Sequence, residues 1–150
     1  MAHFKKPVSD IFFSLLTEVD RYDETIVDVS FDHSRSSNPG TFGVGSVRIC
    51  TFDSGKKLYE PLVVFEPNKF YAYSVDTELS TRTLPIRDVL LFYSFEGRPQ
   101  DTTLLTVRAH FNPPNPIVSP IIKVAFGRAL TSTFQSASDV FDGVLVRIGS

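Results

Sequence analysis

The stretch Gly43–Val75, GVGSVRICTFDSGKKLYEPLVVFEPNKFYAYSV, decides the fold, because it holds three strand patterns separated by two short turns. Val44–Phe52, Lys57–Phe65 and Phe70–Val75 are rich in Val, Ile, Phe and Tyr, whose branched or aromatic side chains suit a pleated surface. The turns between them, Asp53–Lys56 and Glu66–Asn68, are too short for a crossover, so the strands are successive antiparallel hairpins. With a two-residue turn at Ser54 and Gly55, Arg48 falls opposite Pro61 and Glu60 opposite Ile49, and the two charges point to opposite faces. A bulge near Pro61, which lacks the ladder N–H, would restore a contact between them.

Working outward, Thr25–Phe31 alternates through Ile26, Val27, Val29 and Phe31 as a further strand, and DHSRSSNPGTFG after it is a turn-rich loop. Val89–Glu96 and Leu104–Phe111 continue the β pattern. The polar connection Asp76–Asp88 has the length of a lid or binding loop, and equally of a long exposed turn. At the N-terminus, a short strand at Ala2–Lys6 precedes Pro7, and Ile11, Phe12, Leu15, Leu16 and Val19 follow at helical spacing. Asp20–Glu24 is a further helical turn or a loop. Near the other end FNPPNPIVSP breaks the sheet. Ser119 and Pro120 then open a long helix whose apolar stripe runs through Ile122, Phe126, Ala129, Leu130, Phe134, Ala137, Val140, Phe141 and Val144. Gly127 weakens that helix by about 1 kcal/mol relative to Ala, and can admit a close neighbour.

These elements predict an α+β domain spanning residues 1–150: a curved antiparallel sheet of about seven strands around the long C-terminal helix, with short N-terminal helices. A chain of 150 residues suits one core, burying roughly 70% of its unfolded surface. Sheet twist makes the covered face concave, and one helix fills one end of such a trough more easily than its whole length. A pocket for a small apolar ligand is therefore expected, with a solid core as the alternative.

Composition narrows the partners. A net charge of -2 without a Lys/Arg block argues against nucleic acid or anionic lipid held by charge alone. No run approaches the roughly 20 apolar residues of a membrane span, and Lys5 and Lys6 stand where a secretory signal would turn apolar. The lone Cys50 is compatible with a reducing, cytoplasmic setting and, inside a strand, has no evident activating base. His3, His33 and His110 lack metal-ligand spacing, so neither a metal nor another cofactor is expected. GTFGVGS leads into a strand rather than a helix, and so lacks phosphate-cradling geometry.

Three stretches together resemble the START-like, or Bet v 1-like, superfamily and its polyketide cyclase/dehydrase branch. PVSDIFFSLLTEVDRY is similar to the opening helix, Gly43–Val75 to the Gly-x-Gly-x-x-Arg strand and its Glu-bearing partner, and TTLLTVRAHFNPP with the terminal helix to the closing strand and gripping helix. The resemblance implies a helix-grip fold with seven strands and a deep cavity, used by different members to carry lipids, hormones or quinones or to cyclise and dehydrate polyketides. Arg48 and Glu60 match the family's Arg and Glu positions. Pro61 and the very short first strand depart from its pattern.

The ligand-binding candidates are Arg48, Glu60, Tyr71, Tyr73, Tyr93 and Arg108, with Phe126, Leu130 and Phe134 from the helix. An inward Arg–Glu pair would orient a polar head group, whereas a solvated pair would contribute only about 0–1 kcal/mol. Tyrosines suit a half-apolar cavity because the ring packs while the hydroxyl bonds, and they are also ordinary core or rim residues. Glu60 and His110 are the acid–base candidates, but no partner carboxylate for His110 follows from spacing, and a structural or exposed histidine is the plainer alternative. Binding or transport of a lipid-like, polyketide-like or isoprenoid molecule is the leading expectation. A cyclase or dehydratase in the same cavity, and a protein-interaction module using the outer sheet face, are the alternatives.

Overall fold

The computed structural model describes residues 1–82, 87–112, 116–117 and 119–145. In chain order it contains β1 (Ala2–Phe4), α1 (Val8–Thr17), a 3-10 turn (Val19–Arg21), β2 (Ile26–Asp32), β3 (Val47–Phe52), β4 (Lys57–Glu66), β5 (Phe70–Ser74), β6 (Arg87–Arg98), β7 (Thr102–Asn112), α2 (Ser119–Val140) and β8 (Gly143–Leu145). The strands form one sheet in the order β2-β3-β4-β5-β6-β7-β1-β8, antiparallel throughout. The expected meander is therefore present.

Pro7 ends the extended entry to α1, and its carbonyl accepts the first helical N–H groups, from Asp10 and Ile11. The inward face of α1 buries Ile11, Phe12, Leu15 and Leu16. Phe12 alone meets Phe65, Tyr71 and Phe95 with ring centroids 5.1–5.7 Å apart, so this short helix closes one side of the sheet through aromatic packing. Burying each such side chain stabilises the fold by about 1.5–3 kcal/mol.

The expected fold class is present, and two of its details differ from the sequence reading. The sheet has eight strands, because α2 ends at Val140 and Gly143–Leu145 pairs with β1; Val144 belongs to that strand and not to the helical stripe. The β3–β4 turn has three residues, Asp53, Ser54 and Gly55: the Phe52 N–H bonds the Lys56 carbonyl at 2.8 Å, and Gly55 takes a φ of +84°. A left-handed third residue is the usual solution for a three-residue hairpin. The extra residue shifts the register so that Arg48 lies opposite Glu60, with no bulge at Pro61. The irregularity in β4 falls one step later, between Leu62 and Val64 in the pairing with β5.

The described part of the Asp76–Asp88 connection is bound to β4. The Thr81 and Arg82 N–H groups bond the Lys57 carbonyl, and Ser80 Oγ accepts the Tyr59 N–H, so residues 76–82 form an anchored turn. Residues 83–86, and 113–115 with 118 of the FNPPNPIVSP break, lie outside the described residues. Gly45 in GTFGVGS does serve close packing, since a Cβ there would stand 2.1 Å from the Arg35 carbonyl oxygen.

Candidate functional site

Alternation along β3 turns Arg48, Cys50 and Phe52 inward, and the three-residue turn brings Glu60 to the same face. Arg48 and Glu60 are 3% and 4% exposed, with Nε donating to Glu60 Oε1 at 3.0 Å. Arg48 Nη1 also donates to the Leu16 carbonyl at the end of α1, at 3.1 Å, and its guanidinium lies 4.3 Å from the Tyr73 ring centroid. Burial opposes the Arg48 charge, but the Glu60 carboxylate, with Tyr73 beside it, outweighs that and holds its pKa well above the ordinary arginine range. The solvated-pair alternative is thereby set aside.

Tyr71 and Tyr73 project from the inner face of β5, opposite Tyr93 and Leu91 of β6. Tyr73 and Tyr93 share a hydroxyl–hydroxyl hydrogen bond of 2.9 Å, and Tyr71 stacks on Tyr93 at 4.7 Å. Burial raises the phenol pKa values of Tyr71 and Tyr73 well above normal and pushes Tyr93 up to about 12. Burial likewise pushes the Cys50 thiol up to about 12, and its sulfur lies 3.4 Å from Glu60 Oε1. Tyr22 completes the group, its hydroxyl donating to the Leu15 carbonyl. Arg48, Glu60, Tyr71, Tyr73 and Tyr93 thus converge on one enclosed, charge-balanced cluster. Sequence reasoning missed Tyr22, which follows a 3-10 turn and so carries no periodic signal.

A second feature lies along β7 and α2. Val107, Ala109 and Phe111 face inward, and Phe126, Leu130 and Phe134 approach from the helix, enclosing a groove of about 1170 Å³. Its apolar walls meet at Phe111 and Phe126, whose ring centroids are 4.6 Å apart. Gly127 lines this groove, and nothing lies within 4 Å of a Cβ placed on it, so it leaves space rather than admitting a close neighbour. Phe126, Leu130 and Phe134 therefore stand where a pocket needs them.

The remaining candidates separate from that set. Arg108 alternates with Val107 and Ala109, is exposed on the other face of β7, and does not line the groove. His110 is also exposed, and lines the groove together with Asp88 and Asn112. The pair Glu60 and His110, considered for acid–base work, is not brought together. Among the described residues no group of three or more His, Cys, Asp or Glu could hold a metal ion, and no helix is long and apolar enough to cross a membrane.

No family model and no curated sequence matches the chain. Solved structures do. The protein XoxI from Bacillus cereus is similar with a TM-score of 0.68 at 16% identity, over 94% of this chain and 92% of that one. An uncharacterized protein from Bacillus thuringiensis gives 0.68 at 16% identity, over 94% and 96%. Ara h 8.0201, a Bet v 1 homologue, gives 0.63 at 11% identity, over 95% of each chain. At these identities the likeness is one of fold. The chain has the Bet v 1-like helix-grip fold, with a curved antiparallel sheet around a long C-terminal helix.

Proposed function

We propose that residues 1–150 act as one binding unit for a small, largely apolar molecule held between β7 and α2. The observation that carries this is the groove itself. Its walls are Val107, Ala109, Phe111, Phe126, Leu130 and Phe134, and its volume of about 1170 Å³ is ample for a drug-sized or lipid-like molecule. Apolar burial at about 25 cal/mol per Å² would supply most of the affinity. A lipid-like, polyketide-like or isoprenoid ligand fits these walls. A cytoplasmic carrier with one unreactive thiol, and kinship with the polyketide cyclase branch, accord with the same picture.

Binding is favoured over turnover by the placement of the acid–base candidates. Glu60 is held by Arg48 and Cys50 and does not line the groove, and His110, which does, is exposed. A cyclase or dehydratase needs a proton-transfer group within hydrogen-bond reach of the bound substrate.

Fluorescence titration with 1-butylpyrene tests the reading. Saturable binding is expected for the wild type. Gly127→Leu, which places a side chain in open groove space, should weaken it at least tenfold without lowering Tm. Absence of saturable binding, or a Gly127→Leu affinity equal to wild type, would overturn the assignment.

A further inference from the structure

Ile117 and Ile121 are 85% and 70% exposed, more than any other large apolar side chain among the described residues, and Val124 is 55% exposed. Ile121, Val124 and Arg128 stand at i, i+3 and i+7 of α2 and so share one helical face, with Ile117 just before the helix. Val124 also lines the groove, so this ridge borders the groove's open side. Charge is sorted along the same helix. Lys123 and Arg128 are exposed, and the only acid of α2, Asp139, lies in its last turn. There Asp139 joins Asp20, Asp23 and Glu24 around a second, polar hollow. Among the described residues that line the groove, Asp88 is the one carboxylate, and it accepts a hydrogen bond from Asn112 at 2.9 Å. A chain of net charge -2 thus keeps an aliphatic, cationic ridge beside its groove and sets a group of acids at the other end of the helix.

Exposed branched side chains are unfavourable in water, and whatever covers these must also accept two cations. A second copy docked across a two-fold axis would set Lys123 and Arg128 against their own counterparts. Protein interfaces are commonly centred on aromatic anchors, whereas the exposed apolar side chains of this ridge are aliphatic. The boundary of an anionic bilayer meets both demands: branched side chains enter the acyl region while the cations stay among the head groups. It draws on apolar burial and charge together, and so does not need the Lys/Arg block that charge alone would require.

We propose that the N-terminal half of α2 docks on the surface of a lipid bilayer carrying anionic head groups, with Ile117, Ile121 and Val124 in the interface and Lys123 and Arg128 at head-group level. The groove then opens toward the bilayer, and an apolar molecule can pass between the two without crossing water. That passage rests on the groove-binding reading above; the docking itself rests on the exposed ridge.

Cosedimentation with vesicles of phosphatidylcholine alone, and of phosphatidylcholine with phosphatidylglycerol in a seven-to-three ratio, tests it. Wild type should partition onto the anionic vesicles at least about tenfold more strongly, as two surface cations support. Ile121→Asp should weaken that partition at least about tenfold by placing a charge where an apolar side chain enters the interface. Ile121 is exposed and does not line the groove, and an Asp in the first turn suits the helix dipole, so this variant should keep the wild-type Tm and its affinity for 1-butylpyrene in vesicle-free solution. Equal partition onto the two vesicle types, or an Ile121→Asp variant that partitions like wild type, overturns the docking. So does a wild type that ignores both vesicles, whether sedimentation velocity then shows a monomer or a dimer that Ile121→Asp dissolves, which would make a second copy the occupant. Failure of 1-butylpyrene to bind in vesicle-free solution overturns the groove reading and leaves the vesicle result to stand on its own.

Discussion

The two halves of α2 share one helix and meet different surroundings. The C-terminal half buries Phe134, Ala137 and Ser138, and the chain beyond it continues into buried Phe141 and the β8 pairing with β1. The N-terminal half leaves Ile121 70% and Val124 55% exposed and meets the sheet through half-buried Ile122, Phe126 and Leu130. Apolar content alone therefore does not make a helix pack. The short β8 strand and Phe141 fix one end against the sheet, and where that anchoring stops, the concave surface stays open as a groove. The closed end holds the charge-balanced tyrosine cluster, and the open end holds the space.

The contrast predicts a graded set of responses. Glu60→Ala leaves Arg48 buried without its counter-charge, and should cost about 3–5 kcal/mol in urea denaturation. Alkaline pH strikes the same end. Tyr71, Tyr73 and Tyr93 have raised folded pKa values, so the unfolded chain loses these protons first and stability falls as pH rises through the unfolded value near 10. From about pH 9 to 11 each contributes a loss of about 1.4 kcal/mol, roughly 4 kcal/mol for the three, visible as a falling urea midpoint. A flat alkaline profile would mean the phenols are not enclosed.

Smaller effects compare the halves directly. Phe134→Ala should cost about 3 kcal/mol, within the usual range for a buried aromatic, and Phe126→Ala only about 1, because its ring is half-buried beside open space. Equal losses in thermal or urea unfolding would erase the distinction between packed and open ends. The least effect has the opposite sign: Gly127→Ala meets no neighbour and gains helix propensity, so stability should rise by up to about 1 kcal/mol.

Much of this was legible before any coordinates. Period-two alternation located the strands from Ile26 to Phe111, and the spacing of Ile11, Phe12, Leu15 and Leu16 located α1, because both patterns report which face meets the core. Phe126, Leu130 and Phe134 of the expected apolar stripe line the groove. Register was the weak point. One residue more in the Asp53–Gly55 turn moved Glu60 from the outer face to the inner one, and turn length is set by a single left-handed glycine that the dipeptide Ser-Gly does not specify. β8 was hidden for a related reason: three residues, Gly-Val-Leu, carry too little pattern to separate from a helix end. Arg108 and His110 are both exposed on β7, and of the two only His110 lines the groove.

The tyrosine cluster has a practical side. The chain contains no Trp and five Tyr, and Tyr22, Tyr71, Tyr73 and Tyr93 all belong to the cluster while Tyr59 lies apart on β4. Near-ultraviolet tyrosine emission therefore originates mainly in this buried cluster, and its opening on unfolding can be followed without any label.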